Sequence, residues 1–182
     1  AGGAILNVLP FTVKRVGIVT TGNEIYNHRI EDKFTPVVIQ KVEEYGGIVI
    51  GQRLSGDDVD AETGFIREFL EAGADMVLCT GGMSVDPDDR TPLAIRTASD
   101  HVISYGAPVL PGAMFMLAYK GNVPIVGLPG CVMYAKRTIF DLILPRLMAN
   151  DPVTSDEIDS LGEGGLCLGC SVCVFPNCGF GK

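Results

Sequence analysis

Several features that mark particular classes of protein are absent from this 182-residue chain. It has no tryptophan, no run of three or more consecutive lysine and arginine residues, and no run of about 18 apolar residues that could cross a membrane as a helix. The net charge is -8, so the chain lacks the positive field that attracts nucleic acids and anionic membranes. We therefore expect no nucleic-acid and no membrane partner.

The amino terminus carries no signal-peptide pattern, which predicts a cytoplasmic protein. It begins with Ala1-Gly2-Gly3 and no methionine, as a fragment of a longer protein would. Cysteine is unevenly used, because four of the six cysteines lie in the last sixteen residues. A cytoplasmic location makes disulfides the less expected state of that group.

Hydrophobic residues make up 47% of the chain, which is enough for one domain with a sizeable core. Apolar runs alternate with amphipathic stretches, and this alternation predicts a three-layer α/β/α sandwich with a mostly parallel sheet. Strands are predicted at residues 15–20, 48–54, 75–80, 102–105, 115–119 and 124–126, and helices at residues 31–45, 57–73, 92–98 and 133–148.

Three segments are predicted along the chain. Residues 1–13 form a connector with a short strand through Ile5, Leu6, Val8 and Leu9, residues 14–149 form the α/β domain, and residues 150–182 form a tail. The tail starts with an acidic, loop-like linker over residues 150–166. His28 and His101 match no metal-ligand spacing and are interpreted as surface or core residues.

The most informative motif follows the third predicted strand and reads TGGMSVDPDD, residues 80–89. Two glycines after a strand let the backbone turn sharply and approach a ligand closely. The amides of such a turn, running into a helix, suit an anion such as a phosphate. The acids Asp86, Asp88 and Asp89 come next, and carboxylates beside a phosphate indicate a divalent cation between them.

A second polar turn, TTGNEI at residues 20–25, follows the first strand, and a third, GLPGCV at residues 127–132, comes late in the chain. Ligands gather at the carboxyl ends of parallel strands, where these turns are predicted to lie. In this order the turns resemble those of the molybdopterin-binding domain family, which includes molybdopterin adenylyltransferases, molybdopterin molybdotransferases and gephyrin. The resemblance covers roughly residues 14–149.

The resemblance implies a site for molybdopterin with Mg²⁺, and ATP as a possible second substrate. Glu24 and Asp89 match the acids that the family places near the pterin and its metal ion, and they are the predicted catalytic pair. A homo-oligomer, dimer or trimer, is also implied. The residues predicted to contact the pterin are Thr21, Gly22, Asn23, Thr80, Gly81, Gly82, Ser84, Asp88, Pro111, Gly112, Pro129 and Gly130.

Several positions depart from the family pattern. Asp86 stands where the family has glycine, Asn23 where it has aspartate, and Ala113 where lysine is common. Cys131-Val132 replaces the usual Asn-Pro. Because the loss of a lysine removes a cation from a phosphate site, these changes put catalysis in question more than binding.

The tail carries Cys167, Cys170, Cys173 and Cys178. Four thiolates in so short a stretch can enclose Zn²⁺. They can also hold an iron–sulfur cluster, although the spacing matches the ferredoxin pattern only in part. An unstructured tail with oxidisable thiols is the alternative to either metal.

Three functions remain open from the sequence. The first is an enzyme of molybdenum or tungsten cofactor biosynthesis, which transfers a nucleotide to the pterin phosphate or inserts molybdate with Mg²⁺. The second is a non-catalytic carrier or sensor of the cofactor, whose tail binds a metal or a partner. The third is a generic α/β domain with a redox tail, which leaves the three turns unexplained.

Overall fold

The computed structural model describes residues 6–27 and 29–182, whose strands form one six-stranded sheet. The strands are β1 (Arg15–Thr21), β2 (Ile48–Ser55), β3 (Met76–Thr80), β4 (His101–Tyr105), β5 (Met116–Lys120) and β6 (Val123–Leu128). Their order is β2-β1-β3-β6-β5-β4. Strands β2, β1, β3 and β6 run parallel, and β5 is antiparallel to both of its neighbours. The predicted mostly parallel sheet is confirmed.

Helices cover both faces of the sheet: α1 (Asn23–Tyr26), α2 (Phe34–Glu44), α3 (Val59–Glu71), α4 (Thr91–Ala98), α5 (Ile139–Met148) and α6 (Ser155–Ser160). Side chains of β1 alternate between two cores, since Ile18 packs with α2 and α5 while Val19 packs with α3 and α4. The three-layer α/β/α sandwich is therefore confirmed. In the described part of the chain, no helix is both long and apolar enough to cross a bilayer.

Register brings three turns to one edge of the sheet. Thr20 of β1 is level with Thr80 of β3, and Thr80 is level with Leu128 of β6. The segments after these parallel strands therefore leave the same edge, side by side. Because β4 runs parallel to β6 through two antiparallel pairings, the loop at residues 106–115 leaves that edge as well. We call this the carboxyl edge.

Two predicted helices have different starts in the structure. The helix predicted at residues 31–45 begins at Phe34, because the Asp32 carboxylate accepts the amides of Phe34 and Thr35 at 2.9 and 3.0 Å. The helix predicted at residues 133–148 is also wrong in its first part. A 3₁₀ turn (Gly130–Met133) comes first, and α5 begins only after a capping box between Thr138 and Asp141.

The prediction of a loop at residues 150–166 is wrong as well. Thr154 and Glu157 form a capping box that starts α6, and a 3₁₀ turn (Leu161–Gly164) follows it. Ile158 of α6 is fully buried in the core formed with α2 and α5. At the other end of the chain, residues 6–14 contain no strand. Ile5 of the predicted short strand, and His28, lie outside the described residues.

The tail is packed against the α/β body. The Leu110 amide donates to Gly165 O at 2.7 Å, and the Cys167 amide donates to Leu110 O at 2.8 Å. Phe180 is buried in the core on the α5 side, and the Arg137 guanidinium lies 4.9 Å from the centre of the Phe175 ring. The cysteine-bearing segment is therefore fixed to the residues around the start of α5.

Candidate functional site

The glycine turn after β3 lies directly on a layer of hydroxyl groups. Gly81 and Gly82 both have positive φ, 84° and 54°. A Cβ on Gly81 would lie 2.2 Å from the Thr21 backbone oxygen, and one on Gly82 would lie 2.6 Å from Thr91 Oγ1. The hydroxyls of Thr21 and Thr91 are 3.1 Å apart. Only glycine fits at these two positions, and it leaves the backbone open to a ligand from the outside.

The acidic loop that follows is folded upon itself. Asp89 is half-buried, and its Oδ2 accepts the Ser84 amide at 2.5 Å. The Asp86 carboxylate accepts the Asp88 amide at 3.0 Å, while the Ser84 hydroxyl accepts the Asp86 amide at 3.2 Å. Together with α4 and Tyr105, this loop borders a hollow of about 520 Å³. The loop thus holds three carboxylates beside the glycine turn and the start of α4.

The first turn places Glu24 on the short helix α1, where it is exposed. The Gly22 amide donates to Ser55 O at 3.1 Å, which ties this turn to the end of β2. The Asn23 side-chain amide donates to the Asp57 carboxylate at 2.6 Å. The aspartate of the family pattern could only repel Asp57, so this contact gives a physical reason for asparagine at the position.

The Thr80 hydroxyl lies on the other face of the sheet from the Thr21 hydroxyl. It donates to Thr20 Oγ1 at 3.2 Å, and Gln52 Nε2 donates to Thr20 Oγ1 at 2.9 Å and to Asp32 Oδ2 at 2.7 Å. Burial alone would raise the pKa of Asp32, but hydrogen bonds from Thr35, Gln52 and Phe34 outweigh it and lower that pKa. The Thr80 side chain thus belongs to an internal network that fixes the strand ends.

The late turns divide between two places on the carboxyl edge. Pro129 and Gly130 follow β6, the neighbour of β3, so they flank the glycine turn. Pro111 and Gly112 lie in the loop between β4 and β5, where Pro111 O accepts the Ile139 amide at 3.2 Å. Pro111 also lines a hollow of about 510 Å³ that it shares with the tail. The predicted pterin residues therefore share an edge of the sheet, where Ser84 and Pro111 border two different hollows.

Residues 17–149, well over half of the chain, match the family described as "Probable molybdopterin binding domain". The chain belongs to this family. The family assignment inferred from the three turns is therefore confirmed, and with it a domain of the molybdenum cofactor biosynthesis type.

Solved structures of similar fold include the molybdopterin biosynthesis enzyme MoaB from Thermus thermophilus, with a TM-score of 0.65 and 20% identity over 78% of this chain and 99% of that one. The molybdopterin biosynthesis protein Mog from Mycobacterium ulcerans has a TM-score of 0.63 and 17% identity, over 77% of this chain and 100% of that one. These identities show the fold alone. A CinA-like protein from Mycobacterium leprae is 34% identical over 80 residues, 42% of this chain and 18% of that protein. The chain thus spans less than a fifth of that relative.

The four tail cysteines lie beyond the residues that match the molybdopterin-binding family. All four thiols are free. Cys170 and Cys173 are exposed, whereas Cys167 and Cys178 are half-buried. Among residues 6–27 and 29–182, no three His, Cys, Asp or Glu side chains are arranged to hold a metal ion. The geometry therefore gives no support to a zinc or iron–sulfur site in the tail.

Among the tail thiols, Cys173 lies beside groups that lower its pKa. A hydrogen bond from the Phe175 amide lowers the pKa of Cys173. Burial raises that pKa in part, and the Arg137 side chain and Lys136 lower it further. Cys173 thus has an electropositive surrounding.

Sequence reasoning missed a buried acid beside the glycine turn. Glu62 lies in the first turns of α3 and is 1% exposed. Burial raises its pKa to about 7, the Thr91 hydroxyl lowers it, and the carboxylates of Asp57, Asp58 and Asp89 raise it further. The sequence did contain a signal, because Glu62 falls on the same helical stripe as the core residues Ile66 and Phe69.

Proposed function

We propose that this domain binds molybdopterin at the carboxyl edge, with the pterin phosphate on the Gly81–Gly82 turn. One observation supports this most strongly: the left-handed turn sits on Thr21 and Thr91 so closely that no side chain fits beneath it. A backbone so placed offers amides to an anion without any lysine. The start of α4, an eight-residue helix that follows the acidic loop, adds a partial positive charge at the same edge.

Mg²⁺ would accompany the ligand. This ion keeps several waters and uses one or two carboxylates together with substrate phosphates. The half-buried Asp89 fits that role, and Glu24 and Asp88 are carboxylates on the same edge. Because the described residues hold no preassembled set of three ligands, the phosphate itself would complete the coordination. The ion would neutralise charge that builds up around the phosphorus atom.

Two activities are compatible with this site. With ATP, an oxygen of the pterin phosphate would attack the α-phosphorus in line, and pyrophosphate would leave as the adenylyl group is transferred. Asp89 would hold the ion and the glycine turn would hold the acceptor. With molybdate, it would insert the metal and release the nucleotide. The molybdotransferases that the sequence resembles also use residues of other domains, so the second activity would need residues from outside this domain.

A non-catalytic carrier is the second candidate. It is favoured by Ala113, which replaces a family lysine, and by Cys131-Val132, which replaces the Asn-Pro of the late turn. A site that lacks a cation holds a phosphate without strongly stabilising the charge of a transition state. A carrier binds the pterin but does not turn over ATP.

The direct test is a titration of molybdopterin, followed by pterin fluorescence, with and without Mg²⁺. We expect saturable binding that Asp89→Asn weakens about tenfold in the presence of Mg²⁺. The control is Asp159→Asn, which removes the same charge from an exposed position on α6. Equal affinity of the wild type and Asp89→Asn would refute the role of Asp89, and no binding by folded protein would refute the pterin site. ATP consumption in the same samples separates an enzyme from a carrier.

A metal in the tail and a homo-oligomer are further parts of this proposal. Zinc or a cluster would require Cys167, Cys170, Cys173 and Cys178 to rearrange, and metal analysis of protein purified without oxygen tests it. A dimer or trimer follows from the family resemblance, and light scattering of the purified domain measures it.

A further inference from the structure

Among the described residues, Glu62 is an acid that the fold buries without a cationic partner. Both of its carboxyl oxygens are inaccessible, and among the described residues the Thr91 hydroxyl is the donor that approaches them. A buried, ionised carboxylate without a partner is strongly unfavourable, whereas the neutral acid is tolerated. Its neighbours on α3, Ile66 and Phe69, are core residues. An acid in such a position is stable only if it keeps its proton.

The position of Glu62 connects it to the proposed anion site. Thr91 lies between the two, since it faces Glu62 and also touches the Gly82 position, where a Cβ would meet its hydroxyl at 2.6 Å. One layer of hydroxyl groups therefore separates the carboxyl group from the glycine turn. At that separation, in a partly desolvated site, the charge of an anion on the turn acts strongly on the charge of Glu62.

The groups around Glu62 make a further negative charge unfavourable. Asp57, Asp58 and Asp89 face it from the start of α3 and from the acidic loop. On the neighbouring strand β3, the Cys79 thiol lies close enough to interact with Glu62, and burial keeps that thiol neutral by raising its pKa.

The cations on the adjoining elements are directed elsewhere. Arg53 on β2 is paired with Glu68, farther along α3. Arg67 donates to the Thr97 carbonyl near the end of α4, and Arg90 is exposed at the start of that helix. In the described part of the chain, no cation is paired with Glu62.

We propose that Glu62 is a positioning residue that carries a proton in the resting domain and makes anion binding on the Gly81–Gly82 turn dependent on that proton. The inference rests on the anion site of the proposed function. It adds that the proton on Glu62 controls anion binding at that site. An anion on the turn tightens the hold of Glu62 on its proton, and ionisation of Glu62 repels the anion. A divalent cation beside Asp89 acts in the opposite direction and favours the ionised form.

Sulfate is a suitable probe, because it imitates a phosphate dianion and its charge does not change near neutral pH. Calorimetric titrations at about pH 6 and about pH 8 should show wild-type affinity falling about tenfold as Glu62 ionises. Titrations near neutral pH in two buffers of different ionisation enthalpy should show proton uptake by the wild type. Glu62→Gln, which keeps the shape and stays neutral, should bind sulfate equally at both pH values and take up no proton.

Glu71→Gln is the matched control, since it removes an exposed glutamate from the same helix and should behave as the wild type. Sulfate binding with the same pH dependence and proton uptake in the wild type and Glu62→Gln overturns this inference alone. Failure of sulfate to bind the folded wild type at either pH overturns the anion site and the inference together. A carbon-13 spectrum that shows Glu62 ionised well below neutral pH overturns the inference even if sulfate binds.

Discussion

Replacing Glu62 with glutamine should remove a pH dependence from the free energy of unfolding. In the folded protein, burial raises the pKa of Glu62 from 4.5 to about 7. The folded state therefore holds the proton more tightly than the unfolded chain does. The resulting stabilisation is fully present below about pH 4.5 and is lost as the pH rises through about 7.

The size of the effect follows from the shift in pKa. A rise from 4.5 to about 7, at about 1.4 kcal/mol per unit, changes the free energy of unfolding by about 3 kcal/mol between acid and alkaline conditions. A typical domain is stable by about 5–15 kcal/mol, so the change is a substantial part of the total. Above about pH 8 the wild type carries the full penalty of a buried, ionised carboxylate with no cation beside it, and Glu62→Gln does not.

Urea unfolding between about pH 4 and about pH 9 measures this difference. The stability of Glu62→Gln relative to the wild type should rise by about 3 kcal/mol across the range, with most of the change between about pH 4.5 and 7. Glu71→Gln should follow the wild type throughout. Parallel curves for the wild type and Glu62→Gln would show that Glu62 keeps an ordinary pKa, and the reasoning from its burial would be refuted.

Three further predictions concern other parts of the structure. Gly81→Ala should destabilise the domain by more than about 2 kcal/mol in urea unfolding, because alanine disfavours positive φ and its Cβ would meet the Thr21 oxygen. An unchanged unfolding midpoint would contradict the turn geometry. Asp141→Asn should cost about 3 kcal/mol in the same assay, since Lys41 and Arg137 both pair with this buried carboxylate at 2.6 and 2.9 Å; a loss below about 1 kcal/mol would refute that account. Near pH 7, Cys173 should react with a maleimide several-fold faster than Cys170, as peptide mapping would show, and equal rates would contradict the lowered pKa of Cys173.

The fold was predictable because its signals are local and repeated. Apolar strands alternate with amphipathic helices, and each turn after a parallel strand carries glycine or a polar residue. The errors lie where a single side chain decides a boundary. Residues 134–137 have a helical pattern, but α5 starts only after the capping box of Thr138. Thr154 starts α6 in a segment whose acidity indicated a loop.

The candidate site was predictable only in part. Motif order placed the turns after β1, β3 and β6 on one edge, but strand register decides which side chains face a ligand. Thr80 shows this, because its hydroxyl belongs to the internal network with Thr20. The role of Glu62 could not be read from the turns at all. It arises because α3 places the start of its apolar face against Thr91, a contact between two helices distant from each other in sequence.

Charge around the glycine turn leads to a last prediction. The turn suits an anion, yet Asp89 lies beside it, Asp57 and Asp58 lie near the adjoining Glu62, and Ala113 replaces a family lysine. The missing positive charge can come from a proton on Glu62 or from a divalent ion at Asp89. At about pH 6 the proton on Glu62 supplies this positive charge, whereas at about pH 8 the divalent ion must supply it. Mg²⁺ should therefore increase the affinity for molybdopterin more at about pH 8 than at about pH 6, and Glu62→Gln should reduce that difference. An equal effect of Mg²⁺ at both pH values in the wild type would show that the two charges act independently.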